Sequence, residues 1–263
     1  MSLNFDFGGN WKAFSADRMD AERVKAAVAS LDELVGKQQI AGRSFLDIGC
    51  GSGLFSIAAA ESGARTVRAF DVNETAVATS KENARTFLDN DLPAPDFSQG
   101  SILDEVFLRN IGQHDVVYAW GSLHHTGRMW QAIRNAASLV ADDGILVLAI
   151  YNAHWTSPFW TQVKRVYNRS PGVVRKLMNG VFGGAMYVGV WVVARQNPMK
   201  KERGMDFWYD VVDWLGGYPF EVASAEQIRE FLEPLGFELK HLTAPRVPTG
   251  CNELIFQRNS GGR

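Results

Sequence analysis

Between residues 44 and 152 the chain alternates between two hydrophobic periods. The runs "SFLDIG", "TVRAFD", "HDVVYAW" and "GILVLAIYN" are short and almost continuously apolar, as strands covered on both faces must be. Between them, "LFSIAAAES", "NETAVATSKENARTFL" and "RMWQAIRNAASLV" place apolar residues every three or four positions, the spacing of amphipathic helices. "PDFSQG" reads as a weaker strand in the same series. Strand–helix alternation of this kind predicts an α/β fold built on a doubly wound parallel sheet with right-handed crossovers. Upstream, residues 17–36 predict a helix stopped by Gly36. Downstream, "SAEQIREFLEPLG" opens with a capping box from Ser224 to Gln227 and stops at Gly236. "FELKHLTA" and "CNELIFQR" then alternate like a terminal strand pair.

The pattern breaks between residues 153 and 220. That stretch holds five of the eight tryptophans, and nine Lys or Arg against four acids. It predicts a helical, aromatic-rich cap inserted into the sheet domain, not an independent unit. The expected organisation is an N-terminal helical segment (1–43) closing over a cofactor, a core of 44–152 and 221–263, and the cap of 153–220. Within the cap, "LMNGVFGGAMYVGVWVVA" runs for 18 residues without a charge, the lower edge of a membrane-spanning length. Its glycines and its position between strands of one sheet argue against a span. A buried cap helix or a monotopic membrane contact is the expectation.

Composition narrows the classes further. The 263 residues carry a net charge of −2, so no global basic field recruits nucleic acid. The two cysteines, Cys50 and Cys251, make no disulfide framework, and a reducing cytoplasm is the default. "MSLNFDFGGNWKAF" lacks the basic and apolar regions of a secretory signal.

The strongest chemical signal is "FLDIGCGSGLFSIAAAESGA". Gly49, Gly51 and Gly53 follow a predicted strand and open a predicted helix, the setting in which a glycine loop cradles a ligand. Asp71 ends the next strand 20 residues after Gly51, where a carboxylate can accept hydrogen bonds from ribose hydroxyls. Asp47 precedes the loop and can orient its amides or reach a ligand's ammonium group. The third glycine of a dinucleotide fingerprint would fall on Leu54 or Ser56, so pyrophosphate binding is disfavoured.

These residues resemble the class I S-adenosylmethionine-dependent methyltransferases, whose acidic-x-Gly-x-Gly-x-Gly motif stands here as Asp47-Ile-Gly49-Cys50-Gly51-Ser-Gly53. The resemblance implies a Rossmann-like, seven-stranded sheet with a reversed C-terminal hairpin. It also implies S-adenosylmethionine lying across the strand ends. Asp71 and its neighbour Val72 would meet the ribose. "QGSILD" stands where the family often reads Gly-Asp, so Ser101 and the Ile102 backbone would meet the adenine. "HDVVYAWGSLHHT" most resembles the ubiquinone-biosynthesis O-methyltransferase-like small-molecule enzymes. Trp120 then flanks the cofactor, His125 matches the family histidine, and His124 stands where an acid is usual. Trp11 and Arg23 would close over the cofactor, Arg23 pairing with its carboxylate.

Methyl transfer is an in-line displacement that needs alignment and the removal of one acceptor proton. Histidine suits that proton, with an ordinary pKa of about 6.5. Adjacent residues leaving a strand project in different directions, so one of His124 and His125 is expected in the pocket and the other in packing. Tyr151 ends the fifth strand at the same edge. Asp206, Asp210 and Asp213 fall on one helix face, either a solvated acidic face or a recognition helix offering Asp210 as a base. No metal is expected, since zinc wants three or four ligands at defined spacing.

The expected function is methylation of a small-molecule acceptor, amphipathic or anionic, with a phenol, quinol, sugar or natural-product hydroxyl favoured. The alternatives are N-methylation, RNA methylation, or a non-catalytic S-adenosylmethionine-binding regulator. Asn/Asp-Pro-Pro-aromatic, common where planar base nitrogens are methylated, is replaced here by Ala119-Trp120-Gly121-Ser122. Nucleic acid is therefore disfavoured. The location expected is cytoplasmic, with a membrane-peripheral one left open.

Overall fold

The structure is a computed structural model and describes residues 5–189, 191–192, 195, 206–245 and 247–259. Five parallel strands form the centre of the sheet: β1 (Ser44–Ile48), β2 (Thr66–Asp71), β3 (Asp96–Gln99), β4 (His114–Trp120) and β5 (Val140–Tyr151). The terminal hairpin, β6 (Phe237–Thr243) and β7 (Cys251–Arg258), adds on antiparallel to give seven strands in the order β3-β2-β1-β4-β5-β7-β6. The order reverses beside β1. A crevice therefore opens between the carboxyl ends of β1 and β4, where open α/β sheets bind ligands.

Strand alternation splits the core into two layers, because successive side chains point to opposite faces. Leu46, Ile48, Val117, Ala119, Leu146 and Leu148 pack against α6 (Glu105–Ile111), α7 (Met129–Ser138) and α11 (Ala225–Leu232). Phe45, Val116, Tyr118, Ile145 and Val147 face the other way, toward α2 (Ala21–Val35), α4 (Leu54–Glu61) and α5 (Glu74–Phe87). The predicted capping box is present: Ser224 accepts from the Gln227 amide, and Gln227 accepts from the Ser224 amide. Ser224→Ala removes one of these bonds and is expected to cost about 1 kcal/mol, read as a lower urea midpoint at unchanged slope.

Residues 17–36 hold two elements instead of one helix. α1 (Phe7–Arg18) ends before Asp20, which caps α2, and Gly36 closes α2 at φ +90°. The paired glycines Gly8 and Gly9 oppose a helix by propensity. Tertiary contact overrides them: Phe14 is fully buried, worth about 1.5–3 kcal/mol, and Asp6 caps the first turn. Lys37–Ile40 forms a further short turn of helix, α3.

Between β5 and α11 come α8 (Ser157–Arg169), α9 (Gly172–Gly189) and α10 (Phe207–Gly216). They share a small core of Tyr167, Val211 and Leu215, joined by Val163, Met178, Phe182 and Met186. The uncharged stretch read from the sequence begins inside α9, and only its residues up to 189, with Trp191 and Val192, are described. α9 is not a buried helix. One face meets that core, while Val173, Leu177 and Val181 on the other are exposed. Among the described residues, no helix is long and apolar enough to cross a membrane.

Candidate active site

The glycine loop leaves β1 in the left-handed region at three places, Gly49 (φ +76°), Gly51 (φ +56°) and Gly53 (φ +75°). None of the three has room for a side chain as the chain is packed, Gly51 being covered by Trp11. A Cβ on Gly49 would lie 2.5 Å from the Ser122 Cβ, and one on Gly53 would lie 2.8 Å from the Ser80 Cβ. Ser122 donates to the Ile48 carbonyl (2.7 Å) and Ser80 to the Gly51 carbonyl (3.0 Å), while Asn83 donates to the Ser52 carbonyl (2.8 Å). These three braces gave no sequence signal, because each becomes relevant only when its helix or turn is docked.

Asp71 stands at the rim of this loop. One oxygen accepts from the Gly51 amide (3.1 Å) and the other from the Asn73 amide (2.9 Å). Burial raises its pKa against the pull of those amides. A carboxylate oxygen has a second lone pair, so ribose hydroxyls can still be accepted. Val72 is exposed at the same rim. Asp47 is buried deeper, accepts from the Ser56 hydroxyl (2.7 Å), and is pushed up to about 7 by burial. It ties the loop to α4. Cys50 is buried beside Ser80, its thiol pushed up by burial. Ser101 accepts from the Leu103 amide (3.1 Å), and the Ile102 carbonyl accepts from Asn135 (2.8 Å).

Trp11 of α1 lies directly over the loop, its ring 2.8 Å from where a Gly51 Cβ would sit. Arg23 is buried and ion-paired with Asp206 (3.5 Å), so its guanidinium is already committed to the cap. The predicted bond to a cofactor carboxylate would have to share that charge. Trp120 donates its indole N–H to Glu253 on β7 (2.8 Å), which fixes the ring at the end of β4. The loop, its left-handed glycines and the Asp71 carboxylate together fit an adenosyl group carrying an amino-acid tail. The α4 N-terminus favours the carboxylate of that tail.

The histidines do not diverge as an extended chain would direct them. They lie in a 3₁₀ turn, Leu123–His125, where successive residues turn by about a third of a circle. Their rings stand 4.4 Å apart, both within 5.7 Å of the Tyr151 ring. His124 is fully enclosed and its Nδ1 has no hydrogen-bond partner among the described residues. Burial, then the neighbouring charges of His125 and Lys164, hold it neutral well below the usual histidine range.

His125 Nδ1 lies 2.7 Å from the Pro219 carbonyl. A carbonyl only accepts, so Nδ1 carries the hydrogen and Nε2 of the neutral ring is left as an acceptor. Burial lowers its pKa to about 3. Tyr151 is pushed well above the usual phenol value by burial.

The cap packs against the same cluster. Lys164 of α8 is fully buried, donates to the Trp214 carbonyl, and lies 4.6–5.6 Å from the ring centres of Trp214, Phe220 and Tyr151. Burial lowers it to about 7. Asp213 accepts from Asn10 of α1 (2.6 Å) and is raised to about 8, by burial first and then by Asp210.

The three cap acids are therefore not one solvated face. Asp206 is the buried cap of α10, Asp213 turns inward, and Asp210 is exposed one turn away. Asp213 takes the inward place that the sequence reading gave to Asp210. Lys164 was not legible at all, since "QVKRVY" is an ordinary surface-helix pattern. Among the described residues, no three or more His, Cys, Asp or Glu are grouped to hold a metal ion.

A family model described as a methyltransferase domain matches residues 19–242. The chain belongs to that family. The methyltransferase fold is also seen in magnesium protoporphyrin IX methyltransferase from Synechocystis with bound S-adenosylhomocysteine. That structure has a TM-score of 0.58 and 19% identity, over 95% of this chain and 94% of the other. An O-methyltransferase family protein from Burkholderia thailandensis superimposes with a TM-score of 0.56 at 16% identity, over 90% of this chain and 57% of the other. Sequence relatives include a ribosomal protein L11 methyltransferase from Macrococcus caseolyticus, 32% identical over 116 residues, 44% of this chain. The match to that relative spans 34% of its length, and one to the Thiobacillus denitrificans protein of the same name spans 14%.

Proposed function

We propose that this methyltransferase-family chain moves a methyl group from S-adenosylmethionine to a hydroxyl of a small-molecule acceptor. The carrying observation is the juxtaposition, around one crevice, of a left-handed glycine loop with the enclosed His124–His125–Tyr151 cluster. The family match, and neighbours solved with S-adenosylhomocysteine or S-adenosylmethionine, support that cofactor. When bound, it supplies a methyl group already activated by its sulfonium charge.

The protein's share is alignment and proton handling. Orienting two reactants can supply about 7–11 kcal/mol in favourable models. The Pro219 carbonyl fixes the His125 tautomer, which leaves the Nε2 lone pair to take the acceptor's proton. At neutral pH the Asp213 carboxyl, titrating at about 8, is largely protonated and can donate a hydrogen bond to an acceptor oxygen. The aromatic wall of Tyr151, Trp214 and Phe220 suits a flat or amphipathic acceptor, such as a phenol or quinol. The stretch Leu123-His124-His125-Thr126 supports the comparison with ubiquinone-biosynthesis O-methyltransferase-like enzymes.

Calorimetric titration with S-adenosylhomocysteine, followed by a radiolabelled-methyl assay over hydroxylated, aminated and RNA acceptors, tests this reading. The expected result is saturable cofactor binding and label appearing on a hydroxylated small molecule. Folded protein that binds no cofactor overturns the whole proposal. Label on an amine or on RNA overturns the choice of acceptor.

A further inference from the structure

We propose that the outer face of α9, together with exposed apolar residues of α8, docks on an anionic phospholipid bilayer. α9 is apolar on both sides. Met178, Phe182 and Met186 pack inward, while Val173, Leu177, Val181 and Val188 are 83%, 67%, 61% and 57% exposed. A helix of a water-soluble domain normally turns polar residues outward, and a contiguous exposed apolar stripe marks a contact surface. Trp191 and Val192 extend it beyond the helix, and Trp155 and Phe159 add exposed rings at the start of α8.

Charge selects the occupant. Residues 153–189 contain five Lys or Arg and no Asp or Glu. Of these, Lys164 is buried, whereas Arg169 and Lys176 are exposed beside the first turns of α9. Arg169 closes α8 and Lys176 sits in the second turn of α9, so their charges adjoin the start of the apolar stripe, and an anionic surface would neutralise them. A second copy of this chain fits less well, since a twofold contact would set the same basic face against itself. Apolar residues with flanking Lys and Arg are the makeup of an interfacial helix on anionic lipid. α8 starts six residues after Tyr151, so docking would hold the aromatic pocket close to the bilayer. The inference does not depend on the methyl-transfer chemistry.

Co-sedimentation of the full chain with phosphatidylcholine vesicles, with and without phosphatidylglycerol, is the test. The wild-type protein is expected to sediment with the anionic vesicles and to be released by salt. Leu177→Glu with Val181→Glu, both at exposed positions, should weaken that binding at least about tenfold. Arg169→Glu with Lys176→Glu should abolish the preference for phosphatidylglycerol. Unchanged S-adenosylhomocysteine binding and unfolding temperature would certify each variant as folded. Wild-type protein remaining in the supernatant with both vesicle types overturns the proposal, as does undiminished binding by the Leu177/Val181 variant. A dimer seen by light scattering and split by that same variant would instead assign the face to a second copy.

Discussion

Asp71→Ala should bind S-adenosylhomocysteine roughly 30- to 150-fold more weakly, a loss of about 2–3 kcal/mol from charge-assisted hydrogen bonds. Two effects add. The carboxylate that would accept from the ribose is gone, and the Gly51 and Asn73 amides lose the acceptor that holds the loop against the end of β2. The fold should survive, because Asp71 is half-buried at a strand end and the β1–β2 ladder is untouched. Titration calorimetry reads the affinity, and circular dichroism checks the fold. Unchanged affinity in the folded variant would remove Asp71 from the cofactor site.

The second large effect concerns the base. His125→Ala should lower turnover by about ten- to a hundredfold, at or below the low end of general-base contributions, with cofactor affinity nearly intact. With a pKa of about 3, His125 is neutral throughout pH 5–9, so it contributes no inflection to the rate there. An inflection near pH 7–8 would belong to Lys164 and Asp213, whose values of about 7 and about 8 fall in that range. Asp213→Asn should shift or abolish it. Wild-type turnover by His125→Ala on the true acceptor would rule out the base role.

Stability carries the opposite sign for the two residues. The folded-state pKa of His125 lies below its unfolded value of about 6.5, so the unfolded chain binds the extra proton. Stability from this group is therefore lost as pH falls from about 6.5 toward about 3. The folded-state pKa of Asp213 is raised from 3.8 to about 8. Its contribution is full below about 4 and lost as pH rises toward about 8. Melting temperatures of His125→Ala and Asp213→Asn against pH separate the two slopes: the first variant should remove a loss of stability on acidification from about 6.5 toward about 3, and the second a loss on raising pH from about 4 toward about 8.

Particular elements show why some features were legible in the sequence and others were not. The buried parallel strands, the capping box at Ser224 and the loop from Gly49 to Gly53 are local patterns. Each follows from short-range periodicity or from a backbone conformation that only glycine adopts without strain. Within the N-terminal segment expected to be helical, no local pattern sets α1: Gly8 and Gly9 oppose a helix, and the burial of Phe14 that offsets them is a long-range contact. Strand directions do not apply to the histidine pair, because β4 ends at Trp120 and His124 and His125 lie in the 3₁₀ turn that follows.

The sequence by itself determined the sheet, the glycine loop and the acid that faces it, since all three lie in segments whose own pattern decides their conformation. Only the tertiary structure decided which side chains close the second half of the crevice. Lys164, Asp213 and Asn10 come from three helices far apart in the chain. Their protonation depends on burial that no spacing records. The same holds for α9, whose apolar residues look alike in sequence until packing covers one face and leaves the other exposed.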